Sequence, residues 1–272
     1  MDQPYFTPYK RWIRRFGPWL MPVSIVLALF LWHLLTRWTG LPAFILPSPL
    51  QVVERFGRAM QDGSLLRHTL VTLSEVLLGL AAGSLAAMLF GYALARSRTL
   101  ERLLSPYLVA SQAIPVVAIA PLLVIWFGPG MFSKVLICAL IVFFPVLVNT
   151  MVGLRAVPEN LRDLMRALKA NRLQMLRFLE IPAALPVFLG GLRIGATLAV
   201  IGAVVGEFVG ADRGLGFLIN VARGQYDTAL VFVAVFTLVV MALSLYGLVV
   251  LAELRLLRWQ RHPNQQRETL SE

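Results

Sequence analysis

Glu75, Arg193 and Glu207 stand at the margins of long apolar runs, where a charge is costly and commonly functional. Carboxylates so placed could carry a proton or bind sodium. Ser111, Gln112, Asn149 and Thr150 are uncharged hydrogen-bonding groups inside apolar runs, and could touch a polar solute on a path through the chain. Bonding to their own backbone or to neighbouring helices is the structural alternative. Other chemistry is missing. No G-x-x-x-x-G-K-[ST] loop offers a nucleotide site, and no G-x-S-x-G or H-E-x-x-H occurs. His33, His68 and His262 are far apart, without acids arranged around them as metal ligands. The sequence thus implies neither a metal nor a cofactor, and hydrolysis by this chain is not expected. Arg193 and Glu207 are 14 residues apart, about 21 Å along a helix, so they belong near opposite faces of a bilayer. Arg193 is expected to extend toward the cytoplasmic surface as a structural group.

The elements that hold these residues are strongly apolar. Of 272 residues, 58% are hydrophobic and 14% charged, against about a quarter charged in soluble domains. Mean hydropathy is +0.75. Phe16–Thr36, Val76–Ala95, Val135–Leu154 and Thr228–Ala252 are runs of 20 to 25 residues without a charge. Leu103–Ser133 is a longer run broken by Pro106, Pro115 and Pro121, and closed by Gly128, Pro129 and Gly130. Ile181–Gly206 carries Arg193 alone. About 20 apolar residues cross a bilayer as a helix, and only backbone bonded within itself is tolerated in lipid. The expected fold class is an all-α integral membrane protein with six transmembrane helices. The proline-broken third run reads either as a bent helix beside a pore or as a kinked packing helix.

The net charge of +11 follows topology and does not imply nucleic acid. Seventeen Lys and Arg fall in the N-terminal tail, the loops after the second and fourth runs, and the C-terminal tail, against seven in the remaining loops. Short loops rich in Lys and Arg face the cytoplasm, so both termini are expected there. The first run is too long for a cleaved signal peptide and lacks its small-residue site, so it is expected to remain as an anchor. Cys138 is the single cysteine, which excludes a disulfide framework.

Between the first two runs, Pro47 and Pro49 precede a short amphipathic helix around 52–60, ended by Asp62-Gly63. Gly79, Gly83, Ala87 and Gly91 recur every fourth residue. In the fifth run Gly191, Gly195, Ala199 and Ala203 do the same, with Gly202, Gly206 and Gly210 on an adjoining face. Such spacing brings helix backbones together, within one subunit or between two.

One hydrophilic stretch interrupts the apolar chain. In 155–182, Pro158 suits a first helical position and Glu159 the first turn. Leu161, Leu164, Met165 and Leu168 form one stripe. Asn171 and Gln174 have capping-box spacing for a second short helix, which Pro182 and Pro186 are expected to end. Two short helices of this kind could lie on lipid headgroups or dock a soluble partner.

This loop resembles the cytoplasmic E-A-A-x-x-x-G-x9-I-x-L-P signature of binding-protein-dependent ABC-importer permeases. Asp163 stands at the Glu, Leu164 and Met165 at the alanines, Lys169 at the Gly, Leu179 at the Ile, Ile181 at the Leu and Pro182 at the Pro. A-A-L-P at 183–186, Gly191-Leu192-Arg193 and G-E-F-V-G-A-D-R-G-L-G-F-L-I at 206–219 are also similar to that family. The resemblance covers about residues 66–252 and implies a type I importer permease fold. It divides the chain into an N-terminal tail, first span and external segment (1–65), a transmembrane domain with its coupling loop (66–252) and a polar tail (253–272). It also implies cytoplasmic ATPase subunits docked on 155–182, an external substrate-binding protein, a second permease copy in a homodimer, and the lipid bilayer as surroundings. Two departures stand out. Asp163 is one methylene shorter than the usual acid. Lys169 replaces a glycine whose turn needs positive φ, so the turn is expected at Ala170-Asn171 or in a different join. LPSP at 46–49, SQAIPVVAIAPLLVIWFG at 111–128 and VFFPVLVNT at 142–150 look like the nitrate, sulfonate and taurine branch, and within it the permeases for riboflavin or thiamine-pyrimidine precursors. A partner-independent secondary carrier or channel, and a membrane scaffold, are the alternatives from other classes.

Overall fold

The computed structural model describes residues 8–258, with side chains from residue 22 onward. The basic residues of the N-terminal tail, and the C-terminal tail beyond residue 258, lie outside the described side chains. Among the described residues the chain is wholly helical: α1 (Pro8–Trp38), α2 (Pro49–Gln61), α3 (Ser64–Arg96), α4 (Arg98–Gln112), α5 (Val116–Phe127), α6 (Met131–Arg155), α7 (Glu159–Ala167), α8 (Arg172–Met175), α9 (Ile181–Gly210), α10 (Leu215–Gly224) and α11 (Thr228–Leu256).

Four continuous helical stretches are long and apolar enough to cross a membrane: α3, α6, the stretch Arg172–Gly210 and α11. The pair α4 and α5 also qualifies when taken together, but bends by 93°. Pro115 explains the break. It has no amide hydrogen and disfavours helical geometry at Ile114, and it becomes the N-cap of α5 in extended backbone. The proline-rich run is therefore a broken helix. The first apolar run lies in α1, whose described apolar part is the shorter Pro22–Trp38.

At the centre, α6 lies between α3 and α9. A Cβ on Gly79 would fall 2.2 Å from Cys138 Cβ, and one on Gly83 2.6 Å from the Ala139 carbonyl. On the other face, a Cβ on Gly191 would meet Asn149 Cβ at 2.6 Å and one on Gly202 the Cys138 Cα at 2.9 Å. Both small-residue stripes thus face helices of the same chain. Hydrocarbon gives apolar side chains no reason to leave it, so close packing supplies the attraction. Val142, Val146 and Leu147 of α6 are fully enclosed by that packing.

The Ser48 and Gln51 side chains form a reciprocal capping box at the start of α2. Gly63 then turns the chain into α3 with φ 71°. Trp32 fastens α1 to this segment by donating to the Pro47 carbonyl at 3.1 Å, and it stacks on Phe232 of α11.

The segment after α8 differs from the sequence expectation. Pro182 and Pro186 do not end the helix. Leu176–Glu180 forms a π-helical turn, and α9 continues through both prolines, so Arg172–Gly210 is one 39-residue stretch. The wider turn lets the Ile181 N–H reach the Leu176 carbonyl. Such a turn accommodates an extra residue and relieves the usual proline clash.

Candidate functional site

The expected coupling loop is built at the end of the bundle where α3, α6 and α11 finish. Pro158 precedes α7 as its N-cap and does not occupy the first helical position. The helix ends in a Schellman motif: Lys169 N–H bonds to the Arg166 carbonyl at 2.9 Å and Ala170 N–H to the Met165 carbonyl at 3.0 Å. That motif requires a left-handed residue, and Lys169 supplies it with φ 54°. The turn is not displaced to Ala170-Asn171; the two hydrogen bonds offset the strain of a side chain there. Asn171 then caps α8, exchanging hydrogen bonds of 2.8 Å with Gln174.

The loop is tied to the bundle at several points. Arg162 donates to the Leu154 carbonyl at 2.9 Å, and Arg96 to the buried Glu180 carboxylate at 3.1 Å. Arg155 at the end of α6 forks onto Glu101 of α4. Asp163 accepts from Arg166 at 2.8 Å on the exposed face of α7. Leu164, Leu168, Leu173 and Phe178 are all more than half exposed. Met165 and Leu179 are half-buried, Ile181 is exposed, and Pro182 is half-buried at the foot of the long helix. The result is an apolar surface on a knob tied to the bundle by hydrogen bonds, which is the arrangement a docked helix needs. Arg193 pairs with Glu253, three residues before the end of α11, at 3.3 Å.

The four uncharged polar residues fall in two separate pairs, one on α4 and one on α6. Ser111 and Gln112 close α4 beside the 93° elbow, where Ser111 bonds to the Leu108 carbonyl at 2.9 Å and Gln112 is exposed. Asn149 and Thr150 sit in the last two turns of α6. Asn149 donates to the Pro145 carbonyl at 2.8 Å and packs on Gly191; Thr150 donates to the Val146 carbonyl at 2.7 Å and packs on Gly91.

Sequence reasoning noted Glu75 and Glu207 separately and missed that they meet. At the opposite end of the bundle, Glu75, Lys134 and Glu207 are each almost wholly buried. Lys134 Nζ lies 3.9 Å from Glu75 Oε1 and donates to the Pro129 carbonyl at 3.0 Å. Glu207 accepts from Thr72 Oγ1 at 2.7 Å and from Gly216 N–H at 2.5 Å. The Gly214 N–H donates to His68 Nδ1 at 3.0 Å. The cluster joins α3, α6 and α9 to the turn before α10. Gly214, with φ 107°, passes so close to the Glu207 carboxylate that a Cβ would stand 2.1 Å from Oε1. The available signal was G-E-F-V-G-A-D-R-G-L-G, whose two later glycines allow the backbone to wrap the glutamate.

Comparison with known proteins identifies the chain. Residues 79–258 match the family described as binding-protein-dependent transport system inner membrane component. The chain is 50% identical over 256 residues to the riboflavin transport system permease protein RibX of Chloroflexus aurantiacus, covering 93% of this chain and 96% of that one. It is 36% identical to the formylaminopyrimidine transport permease protein ThiX of Halalkalibacterium halodurans, over 87% and 94%. Against the putative aliphatic sulfonates transport permease protein SsuC of Bacillus subtilis the identity is 32%, over 89% and 86%. In fold it is similar to a structure of the MetNI methionine ABC transporter in inward-facing conformations, with TM-score 0.61 and 21% identity over 73% of this chain and 96% of that one. The chain belongs to the binding-protein-dependent transport system inner membrane component family and is the permease subunit of an ABC importer.

Proposed function

We propose that this permease carries a vitamin-type heterocycle, riboflavin or a thiamine pyrimidine precursor, delivered by a separate external binding protein. The 50% identity to a riboflavin permease across 93% of the chain carries the reading. Nitrate, sulfonate or taurine is the runner-up, supported by the 32% identity to a sulfonate permease.

In the proposed assembly two copies of the chain form a homodimer, each with six spans and cytoplasmic ends. The path runs between them, past Ser111 and Gln112 at the elbow; Asn149 and Thr150, packed on Gly191 and Gly91 of the same chain, stand back from it. Two cytoplasmic ATPase subunits seat on the exposed apolar face of 155–182 and do all the hydrolysis. Their closure moves α7 and α8, and the stiff continuation into α9 carries that movement into the bundle. The ties Arg96–Glu180 and Arg162–Leu154 make the knob move with α3 and α6 as well.

Uptake of labelled riboflavin in the source cells, with and without the gene, tests the substrate. Loss of uptake on deletion, restored by the gene and competed by flavin but not by taurine, is the expected result. Unchanged riboflavin uptake with lost taurine uptake would replace the substrate assignment. A partner-independent carrier rests on the buried Glu75 and Glu207. It requires that Glu75→Gln and Glu207→Gln abolish proton dependence of uptake, and that uptake proceed without ATP.

A further inference from the structure

An apolar cleft of about 420 Å³ opens beside the π turn, between α3, α6 and the start of α9. Leu85, Leu89 and Phe188 form its walls, while Leu176 and Ile181 bracket the π turn at its edge. Its two hydroxyl groups already have partners. Thr150 donates to the Val146 carbonyl, and the Tyr92 hydroxyl accepts from Arg96 Nε at 3.1 Å. A polar heterocycle would find only the Tyr92 O–H at the mouth, and no free group deeper in, to orient it, whereas a hydrocarbon chain needs none.

The mouth has the opposite character. Tyr92, Arg96, Arg162 and Glu180 surround a void of about 10 Å³, room for roughly one water. Arg162 Nε is buried there without a hydrogen-bond partner. Arg96 pairs with Glu180, and Arg162 lies 3.8 Å from the exposed Glu159. Across 155–182 six basic residues outnumber three acidic ones, so the surroundings of the mouth are positive. From Tyr92 at the mouth to Leu85 is two helical turns, so the cleft reaches about 10 Å into the hydrocarbon.

We propose that this cleft is a lipid site. It takes one acyl chain of an anionic phospholipid from the leaflet on the coupling-loop side, with the phosphate at Arg96 and Arg162. Basic pockets between transmembrane helices hold headgroups of this kind, and tyrosine favours the same interfacial depth. The bound chain rests against Leu176 and Ile181, so the lipid props the joint between the coupling knob and α9. The proposal does not depend on which solute is imported.

The test uses the purified importer in bilayer discs of phosphatidylcholine, with or without phosphatidylglycerol, followed by delipidation and mass spectrometry of what stays bound. Wild type is expected to retain about one phosphatidylglycerol per chain in preference to phosphatidylcholine. Leu89→Trp fills the cleft from a side chain 65% exposed and should lose that lipid, while Leu89→Ala should keep it. Arg162→Gln should bind phosphatidylglycerol about fivefold more weakly. If Leu89→Trp does not assemble, Leu89→Cys alkylated after purification blocks the cleft in folded protein, since Cys138 is buried. Equal retention by the blocked and open proteins overturns the proposal. So does equal retention of the two lipids, because hydrocarbon alone then accounts for binding. Disulfide-linked dimers of Leu89→Cys would mean that a second copy covers the cleft, and riboflavin displacing the lipid would make it a solute site; either overturns the proposal.

Discussion

The Thr72 hydroxyl donates to Glu207 Oε1 at 2.7 Å and accepts from the Leu215 N–H at 2.8 Å. One side chain on α3 thereby fixes both the carboxylate of α9 and the first residue of α10. Thr72→Val keeps the shape and removes both bonds inside a buried site. It should destabilise the protein by about 1–3 kcal/mol, measured as a lower melting temperature in detergent. Thr72→Ser should retain most of the stability; equal loss in both variants would place the effect in packing.

The helix contacts predict a sharp contrast between glycines. Gly79→Val drives side-chain carbon into Cys138 and should prevent α3 from seating on α6, seen as lost expression or aggregation in detergent. Gly57→Ala meets nothing within 4 Å on α2. It should leave folding intact and raise stability by up to about 1 kcal/mol. Normal yields of Gly79→Val would show that the α3–α6 contact is looser than described.

Lys169→Gly should relieve left-handed strain worth roughly 1 kcal/mol. The expected signature is slower amide exchange across α7 and α8. Lys169→Val should do the reverse, since a branched side chain tolerates positive φ poorly. Faster exchange in the glycine variant would mean that lysine makes a contact at this corner which outweighs the strain.

Asp163→Arg replaces the partner of Arg166 with a like charge on the exposed face of α7. The spans do not touch that face, so the purified permease should melt as wild type does. Copurification of ATPase subunits from native membranes should fall by an order of magnitude or more, about 1.4 kcal/mol in binding. Undiminished copurification would move the docking surface away from Asp163.

Much of this architecture was legible because lipid imposes simple rules. Charge-free runs marked the long helices, and every-fourth-residue glycines marked the faces of α3 and α9 that meet α6. Asn171 and Gln174 announced a cap that forms as spaced. The misreadings share a cause. Pro182 reads as a helix end because it lacks an amide hydrogen, yet the π turn at Leu176–Glu180 leads directly into α9 and the helix continues through it. The single-residue cost of positive φ argues against Lys169 at the left-handed corner, but it leaves out the two Schellman bonds that the corner makes. Thr72 and Glu207 are 135 residues apart in the chain, so no local pattern could bring them together. Arg193 likewise found Glu253 only through tertiary packing.

The π turn also acts as an angular offset. One residue of helix is about 100° of rotation, so the extra residue in this turn sets which way α8 faces relative to every residue of α9 beyond it. A permease lacking that single residue could keep the same helices and caps while presenting a different side of its knob. The length of the segment from 176 to 180 is therefore as much a specification of partner orientation as any side chain on the docking face.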